Sequence, residues 1–228
     1  MREIDRATEA DYGVSPLQLM EVAGLATARV ARNLIGSPLT GRRVCILAGP
    51  GNNGADGLVA ARRLVGWGAN VAVVTSYRVD EARGLSATQL RAVEAAGVPV
   101  GEWDGQVPAA ELLIDALLGF GASGAPRATV AAMIGAAVDR GAPVLALDIP
   151  SGLDGTSGLA PGACIVATAT VTLALPKTGL LAPPARRFVG RLFLADIGVP
   201  SALLEQLGIS ANGIFAGDDI VEIEPAGQ

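Results

Sequence analysis

Leu47-Ala48-Gly49-Pro50-Gly51-Asn52-Asn53-Gly54-Ala55-Asp56-Gly57-Leu58 follows an apolar run, Val44 to Ala48, and opens into a helical pattern from Leu58 to Val65. A strand, a glycine-rich turn and a helix N-terminus in that order leave backbone N–H groups unpaired where the helix dipole favours negative charge. A nucleotide-like ligand is the expectation. Gly49, Gly51 and Gly54 have the spacing of a dinucleotide turn, and Gly119-Phe120-Gly121-Ala122-Ser123-Gly124 repeats it. Read as turns alone, both loops would need glycine for positive φ. The dinucleotide fingerprint also wants an acid ending the second strand, to hold ribose hydroxyls. That strand ends Val74-Thr75-Ser76-Tyr77, which disfavours an ordinary NAD dehydrogenase. Neither loop carries the Gly-Lys-Ser/Thr of a P-loop.

Outward from this stretch, strands alternate with helices. Residues 3–11 read as a short polar helix, and Ser15-Pro16-Leu17-Gln18 as the capped start of a helix over 16–35. Strands are expected at Arg43–Ala48, Asn70–Thr75, Val144–Leu147 and Arg191–Ala195, within Glu111–Leu118, and as one long strand from Cys164 to Leu175. A short edge strand is expected at Val98–Trp103, helices at Ser86–Ala96 and from Pro126 to Arg140, and a helix and a strand near Ile214 in the tail. The pattern predicts an α/β fold with a mostly parallel sheet, and one domain over 1–228 with no second domain.

Composition narrows the function. The chain has 228 residues, half of them hydrophobic, and its apolar surplus falls in short runs cut by glycine. No run reaches the roughly 18 residues of a membrane span. The net charge is −5, which argues against non-specific nucleic-acid binding. Cys45 and Cys164 lie in apolar segments and read as buried free thiols. The charged N-terminus lacks the apolar core of a signal peptide, so a cytoplasmic location is expected. There is no histidine, which removes a Ser-His-Asp triad and leaves carboxylates, hydroxyls, backbone, lysine or a metal ion.

Polar residues gather where strands are expected to end: 49–57, 115–124 and 148–155. In open parallel sheets ligands bind at that edge. Asn52, Asn53 and Asp56 offer oxygens suited to a sugar hydroxyl or a hard cation. Asp115 and Asp148 end very apolar strands, where burial raises a carboxyl pKa unless a cation or hydrogen bonds hold it ionised. Ser151 shares a compact turn with Asp148. Lys177 is the only lysine among 17 basic residues, and a phosphate contact is one expectation for it.

Gly51-Asn52-Asn53-Gly54-Ala55-Asp56-Gly57-Leu58, Asp115-Ala116-Leu117-Leu118-Gly119-Phe120-Gly121 and Asp148-Ile149-Pro150-Ser151-Gly152-Leu153-Asp154 resemble, in order, motifs of the YjeF N-terminal domain, the NAD(P)H-hydrate epimerases. Leu19-Met20-Glu21-Val22-Ala23-Gly24 and Ala174-Leu175-Pro176-Lys177-Thr178-Gly179 resemble its first and last motifs. The resemblance implies a Rossmann-like three-layer α/β/α fold. It implies interconversion of the R and S epimers of hydrated NADH and NADPH (NADHX, NADPHX), which carry a hydroxyl at C6 of the nicotinamide ring, with a separate dehydratase downstream. It implies a K⁺ site from Asn53, Asp115 and Ser151. Substrate contacts would come from Asn52, Asn53, Gly54, Ala55 and Asp56, from Gly119, Phe120, Gly121, Ala122, Ser123, Gly124 and Ala125, and from Asp148, with Lys177 on a phosphate. Relatives often dimerise, so a homodimer is expected, with no nucleic-acid or membrane partner.

The ring nitrogen can help expel the C6 hydroxyl, giving a conjugated iminium to which water returns on either face. One carboxylate that protonates the leaving hydroxyl and later deprotonates water would serve both directions, and Asp148 is the candidate. Two residues depart from the family pattern. Ala55 stands where glycine is usual, and its methyl would crowd a ligand; Val22 replaces an asparagine. The alternative reading is a non-catalytic nucleotide-binding or scaffold domain.

Overall fold

The structure is a computed structural model that describes residues 2–210 and 213–224. Two helices come first, α1 (Arg2–Tyr12) and α2 (Pro16–Ile35), the second closed at its start by a reciprocal cap. The Gln18 N–H donates to Ser15 Oγ (3.4 Å) and the Ser15 N–H donates to Gln18 Oε1 (2.8 Å). Then β1 (Arg43–Ala48), α3 (Asn52–Gly66), β2 (Asn70–Thr75), α4 (Gly84–Ala95) and β3 (Val100–Glu102) follow as repeating strand–helix units. The second half runs β4 (Leu112–Ala116), α5 (Ala128–Asp139), β5 (Val144–Leu147), β6 (Ala169–Leu173), α6 (Thr178–Leu181), α7 (Arg186–Val189), β7 (Arg191–Ala195), α8 (Ser201–Gln206) and β8 (Ile220–Ile223).

Among the described residues the strands form one sheet in the order β3-β2-β1-β4-β5-β6-β7-β8, parallel throughout except for the β7–β8 pair. The order reverses between β1 and β4, the switch point at which such sheets bind ligands. β1 and β4 are central and buried on both faces, which is why they read as unbroken apolar runs rather than as alternating ones. On one face, Ile46 and Ile114 pack with Leu58 and Leu64 of α3 and Leu19 of α2. On the other, Leu47 and Leu113 meet Met133 and Ile134 of α5. α2 lies close on α3 because Gly24 has no side chain: a Cβ there would come 2.4 Å from Val59 Cβ.

Two expectations are corrected. The strand expected over Cys164–Leu175 is confined to Ala169–Leu173. The segment before it runs across the sheet end with single hydrogen bonds to different neighbours, Ile165 N–H to Ser151 O and Ala167 N–H to Phe188 O. The segment after it is broken by Ala174 at φ +63°. The tail strand lies at Ile220–Ile223, not at Ile214, and pairs antiparallel with β7. The short helices α6 and α7 had no counterpart in the sequence pattern.

Candidate functional site

The β1–α3 loop is shaped by close contact rather than by unusual dihedrals. None of Gly49, Gly51, Gly54 and Gly57 has positive φ, against the expectation for a turn. A Cβ on Gly49 would stand 1.9 Å from Leu117 O, and one on Gly54 1.9 Å from Gly49 O. Gly51 differs: a Cβ there would meet nothing within 4 Å, so the protein itself does not require a bare backbone at the start of α3. Gly51 is the N-cap of α3, and no side chain caps the first N–H groups of that helix. Ala55 is turned inward. Fully buried, it packs with Met20 and Val59 beneath α2, so its methyl crowds nothing in the site. Val22 is 38% exposed on the outer side of α2 and does not line the cavity.

Asp115 ends β4 and is completely buried. The Ser151 N–H donates to Asp115 Oδ2 (2.7 Å), while Ser151 Oγ (2.6 Å) and the Leu117 N–H (3.2 Å) donate to Oδ1. Ser151 Oγ accepts from the Leu118 N–H (2.9 Å), and Asn53 Nδ2 donates to Leu118 O (3.0 Å). The structure thus brings Asn53, Asp115 and Ser151 together around the Leu118 peptide. Burial pushes the Asp115 carboxyl up to about 6, against the hydrogen bonds from Ser151 and Leu117.

Asp148 lies just beyond β5. The Ile149 N–H donates to Leu147 O (2.9 Å), closing a three-residue turn with Asp148 at its centre and φ +67°. The same turn recurs beyond β6, where the Leu175 N–H donates to Leu173 O (2.7 Å) around Ala174. Among the described residues these are the two non-glycine positions with positive φ, and such turns are rare and strained, at about 1–3 kcal/mol each. Together they aim two side chains at one another. The Lys177 ammonium makes an ion pair with Asp148 Oδ1 and donates to Leu173 O (2.9 Å); Asp148 Oδ2 accepts from the Phe120 N–H (3.0 Å). Lys177 is 4% exposed. These partners occupy two of its three N–H donors, which leaves one for the phosphate contact expected from the sequence.

The pair faces a cavity of about 400 Å³ at the ends of these strands. Leu19, Met20, Ala23, Leu173 and Ile197 supply its apolar wall; Asn52, Asn53, Asp56, Asp148 and Lys177 supply its polar side. Asp56 is 8% exposed, and no hydrogen bond among the described residues reaches its carboxyl. Its pKa stands well above the usual carboxylate range, through burial first and then the charges of Asp148 and Asp5. Of the second glycine loop, only Phe120 lines this cavity. Ala122, Ser123 and Gly124 border a separate dimple of about 10 Å³, while Gly121 and Ala125 are exposed and Gly119 abuts the Asn53 side chain. Gly54 is buried against Gly49.

Sequence reasoning missed the opposite wall, formed by Asp5, Arg6 and Glu9 of α1. Burial raises the pKa of Asp5 there. α1 is docked on α8 through Ile4, Ala7, Leu203 and Leu204. The i, i+4 spacing of Asp5 and Glu9 marked a polar face, but nothing in the pattern said that this exposed face also rims a cavity. The backbone carbonyls of Leu118 and Leu173 were likewise invisible, since any residue supplies one.

Fold and site define a Rossmann-like α/β protein with a buried carboxylate–ammonium pair beside the switch point of its sheet. The chain belongs to the family described as YjeF-related protein N-terminus, which matches residues 16–179. It is 38% identical over 216 residues to the NAD(P)H-hydrate epimerase of Dehalogenimonas lykanthroporepellens, covering 92% of this chain and 84% of that one. It is also 38% identical to the bifunctional NAD(P)H-hydrate repair enzyme Nnr of Moorella thermoacetica, covering 90% of this chain but 40% of that protein. The crystal structure of yeast ynu0 superposes with a TM-score of 0.82 at 25% identity, covering 97% of this chain and 96% of that one. Among the described residues no helix is long and apolar enough to cross a membrane.

Proposed function

We propose that this chain is an NAD(P)H-hydrate epimerase, interconverting the R and S forms of NADHX and NADPHX as a single domain over residues 1–228. The observation that carries the reading is the Asp148 carboxylate. It is held in a strained turn by the Phe120 N–H and the Lys177 ammonium, at the polar end of a largely apolar cavity. The relatives of similar length that bear the epimerase name supply the substrate class.

In this mechanism the hydrated nicotinamide ring occupies the cavity, with its apolar face on Leu19, Met20 and Leu173. The ring nitrogen expels the C6 hydroxyl and becomes an iminium; water then adds at C6. Asp148 exchanges a proton with the C6 oxygen in each direction. Lys177 is a positioning residue: its ammonium supplies the counter-charge that a buried carboxylate requires. Asn52 and the bare Gly51 backbone, at the start of α3, receive the phosphate-bearing part of the substrate.

The oxygens of Asn53, Asp115 and Ser151, with Leu118 O in the same cluster, fit a monovalent cation. Every donor is an oxygen, and one of them belongs to a buried carboxylate with no cationic side chain paired to it among the described residues. K⁺ bound there would neutralise Asp115 and hold the Ser151 and Leu118 turns that support the site. The reading extends to a cytoplasmic homodimer, with exposed Leu17 and Val22 of α2 available to a contact face, and to a separate dehydratase that consumes the S epimer.

The test couples the purified chain to a dehydratase that accepts only the S form. An equal mixture of R- and S-NADHX should be consumed fully when the chain and K⁺ are present, and only to half when the chain is omitted. Consumption that stops at half with the chain present would sink the proposal.

A further inference from the structure

The cavity contains a second buried carboxyl, Asp56, that the reaction as written does not use. Inversion at C6 with the ring held in place has two sides: the hydroxyl departs from one face and water arrives on the other. A single carboxyl serves both faces only if the ring turns over in its site. Asp148 follows β5, and Asp56 stands near the start of α3, which follows β1. β4 lies between those strands, and both carboxyls line the same cavity, where the Asp148 charge acts on Asp56. The cavity of about 400 Å³ has room for a ring beside both carboxyls. A carboxyl that is nine-tenths buried, faces a cavity and meets no hydrogen-bond partner is costly unless it is neutral or a ligand completes it. Asp56 feels Asp148 beyond β5, Asp5 on α1 and Lys177 before α6, while Arg6 and Glu9 of α1 line the same cavity. Burial and the neighbouring carboxylates hold it toward its protonated form. A carboxyl held toward its protonated form and a second carboxyl paired with an ammonium, both lining one cavity, can serve as acid and base.

We propose, on the basis of the epimerase reading, that Asp56 is the second acid–base residue: its proton goes to the C6 hydroxyl departing on one face while Asp148 takes a proton from the water adding on the other. The C6–O bond breaks with its electron pair on the oxygen, which leaves as water carrying the proton from Asp56, and the ring-nitrogen lone pair forms the iminium. A new C6–O bond forms from water, whose proton passes to the Asp148 carboxylate. The turnover ends with Asp56 ionised and Asp148 protonated, which is the state that runs the reverse reaction; proton exchange with solvent resets it. Nothing is oxidised or reduced.

The experiment follows R-NADHX conversion by the natural chain, Asp56→Asn and Asp56→Ala, each checked for folding by thermal melting. Asp56→Asn should lower kcat by about 10²–10⁴-fold with KM within about threefold, the loss expected of a missing acid–base group. Formate should restore turnover to Asp56→Ala by occupying the space of the lost carboxyl. A kcat within about threefold of the natural value overturns the proposal. So does a raised KM at unchanged kcat, which would make Asp56 a binding residue, or a folded Asp56→Ala that formate does not rescue. If the variants do not fold, the natural chain decides: kcat should be bell-shaped in pH, and a single limb overturns the two-carboxyl scheme. No turnover by the natural chain overturns the epimerase reading itself, and this proposal with it.

Discussion

Asp115 and Asp148 end neighbouring parallel strands and are both buried, yet they are satisfied in opposite ways. Asp115 accepts only from neutral donors, the Ser151 hydroxyl and two backbone N–H groups, and has no counter-charge among the described residues. Asp148 has a buried ammonium on one oxygen and a single N–H on the other. On the proposed reading, the first arrangement is completed by a cation from solution. The second carries its own cation and leaves the carboxylate open to the cavity. On that reading one strand end is completed by a cation and the other reacts, and the difference is decided by what stands opposite each carboxyl rather than by the carboxyl itself.

The largest expected effect breaks the reactive side. Asp148→Asn keeps a residue tolerant of the left-handed turn, and should lower kcat by about 10²–10⁴-fold in a stopped assay of epimer ratio. Lys177→Met leaves the Asp148 carboxylate buried without its partner. It should cost about 3–5 kcal/mol, read as a fall in melting temperature of roughly 10 °C; an unchanged melting temperature would deny that the pair is a stability element.

The next prediction sharpens the Asp115 side through pH. Its folded pKa, about 6, lies above the unfolded value of 3.8. The stability it contributes is therefore complete below about 3.8 and lost as pH rises through 6, a change of about 3 kcal/mol. A bound cation would offset that loss. The gain in melting temperature on replacing tetramethylammonium with K⁺ should be larger at pH 8 than at pH 4.5, and should vanish in Asp115→Asn. An equal gain at both pH values would remove Asp115 from the cation site.

Smaller effects are expected at two alanines. Ala174→Gly relieves the positive-φ turn and should stabilise the chain by about 1 kcal/mol, while the looser Lys177 lowers kcat. Ala55→Gly removes a methyl packed on Met20 and Val59 and weakens α3, at a cost of about 1–2 kcal/mol with KM unchanged. A lowered KM would mean that the methyl does meet substrate.

The two glycine loops mark how far the sequence could be read. Their spacing is identical, and the order of strands and helices around them follows from apolar runs and caps, so the fold was legible. Their physics differs. In the first loop Gly49 and Gly54 are dictated by backbone packing, whereas the second is largely exposed, with Gly124 at φ +76°. No local pattern separates the two cases, because the atoms that exclude a Cβ from Gly49 belong to Leu117, far along the chain. Asn52, Asn53, Asp56, Asp115, Asp148 and Ser151 were legible as polar residues at the ends of apolar strands. Lys177 was legible as a lone lysine but not as the partner of Asp148, since the turn at Ala174 that brings it inward has no sequence signal. The wall from α1 was hidden for a similar reason: an exposed polar helix face looks the same whether or not it rims a cavity.

The most direct measurement is to incubate R-NADHX with the chain in H₂¹⁸O containing K⁺, and to resolve the epimers by chromatography and mass spectrometry. The mechanism expects S-NADHX to appear with ¹⁸O at C6, and neither conversion nor labelling above background with Asp148→Asn. Absence of S-NADHX, or S-NADHX formed without solvent oxygen, would contradict it.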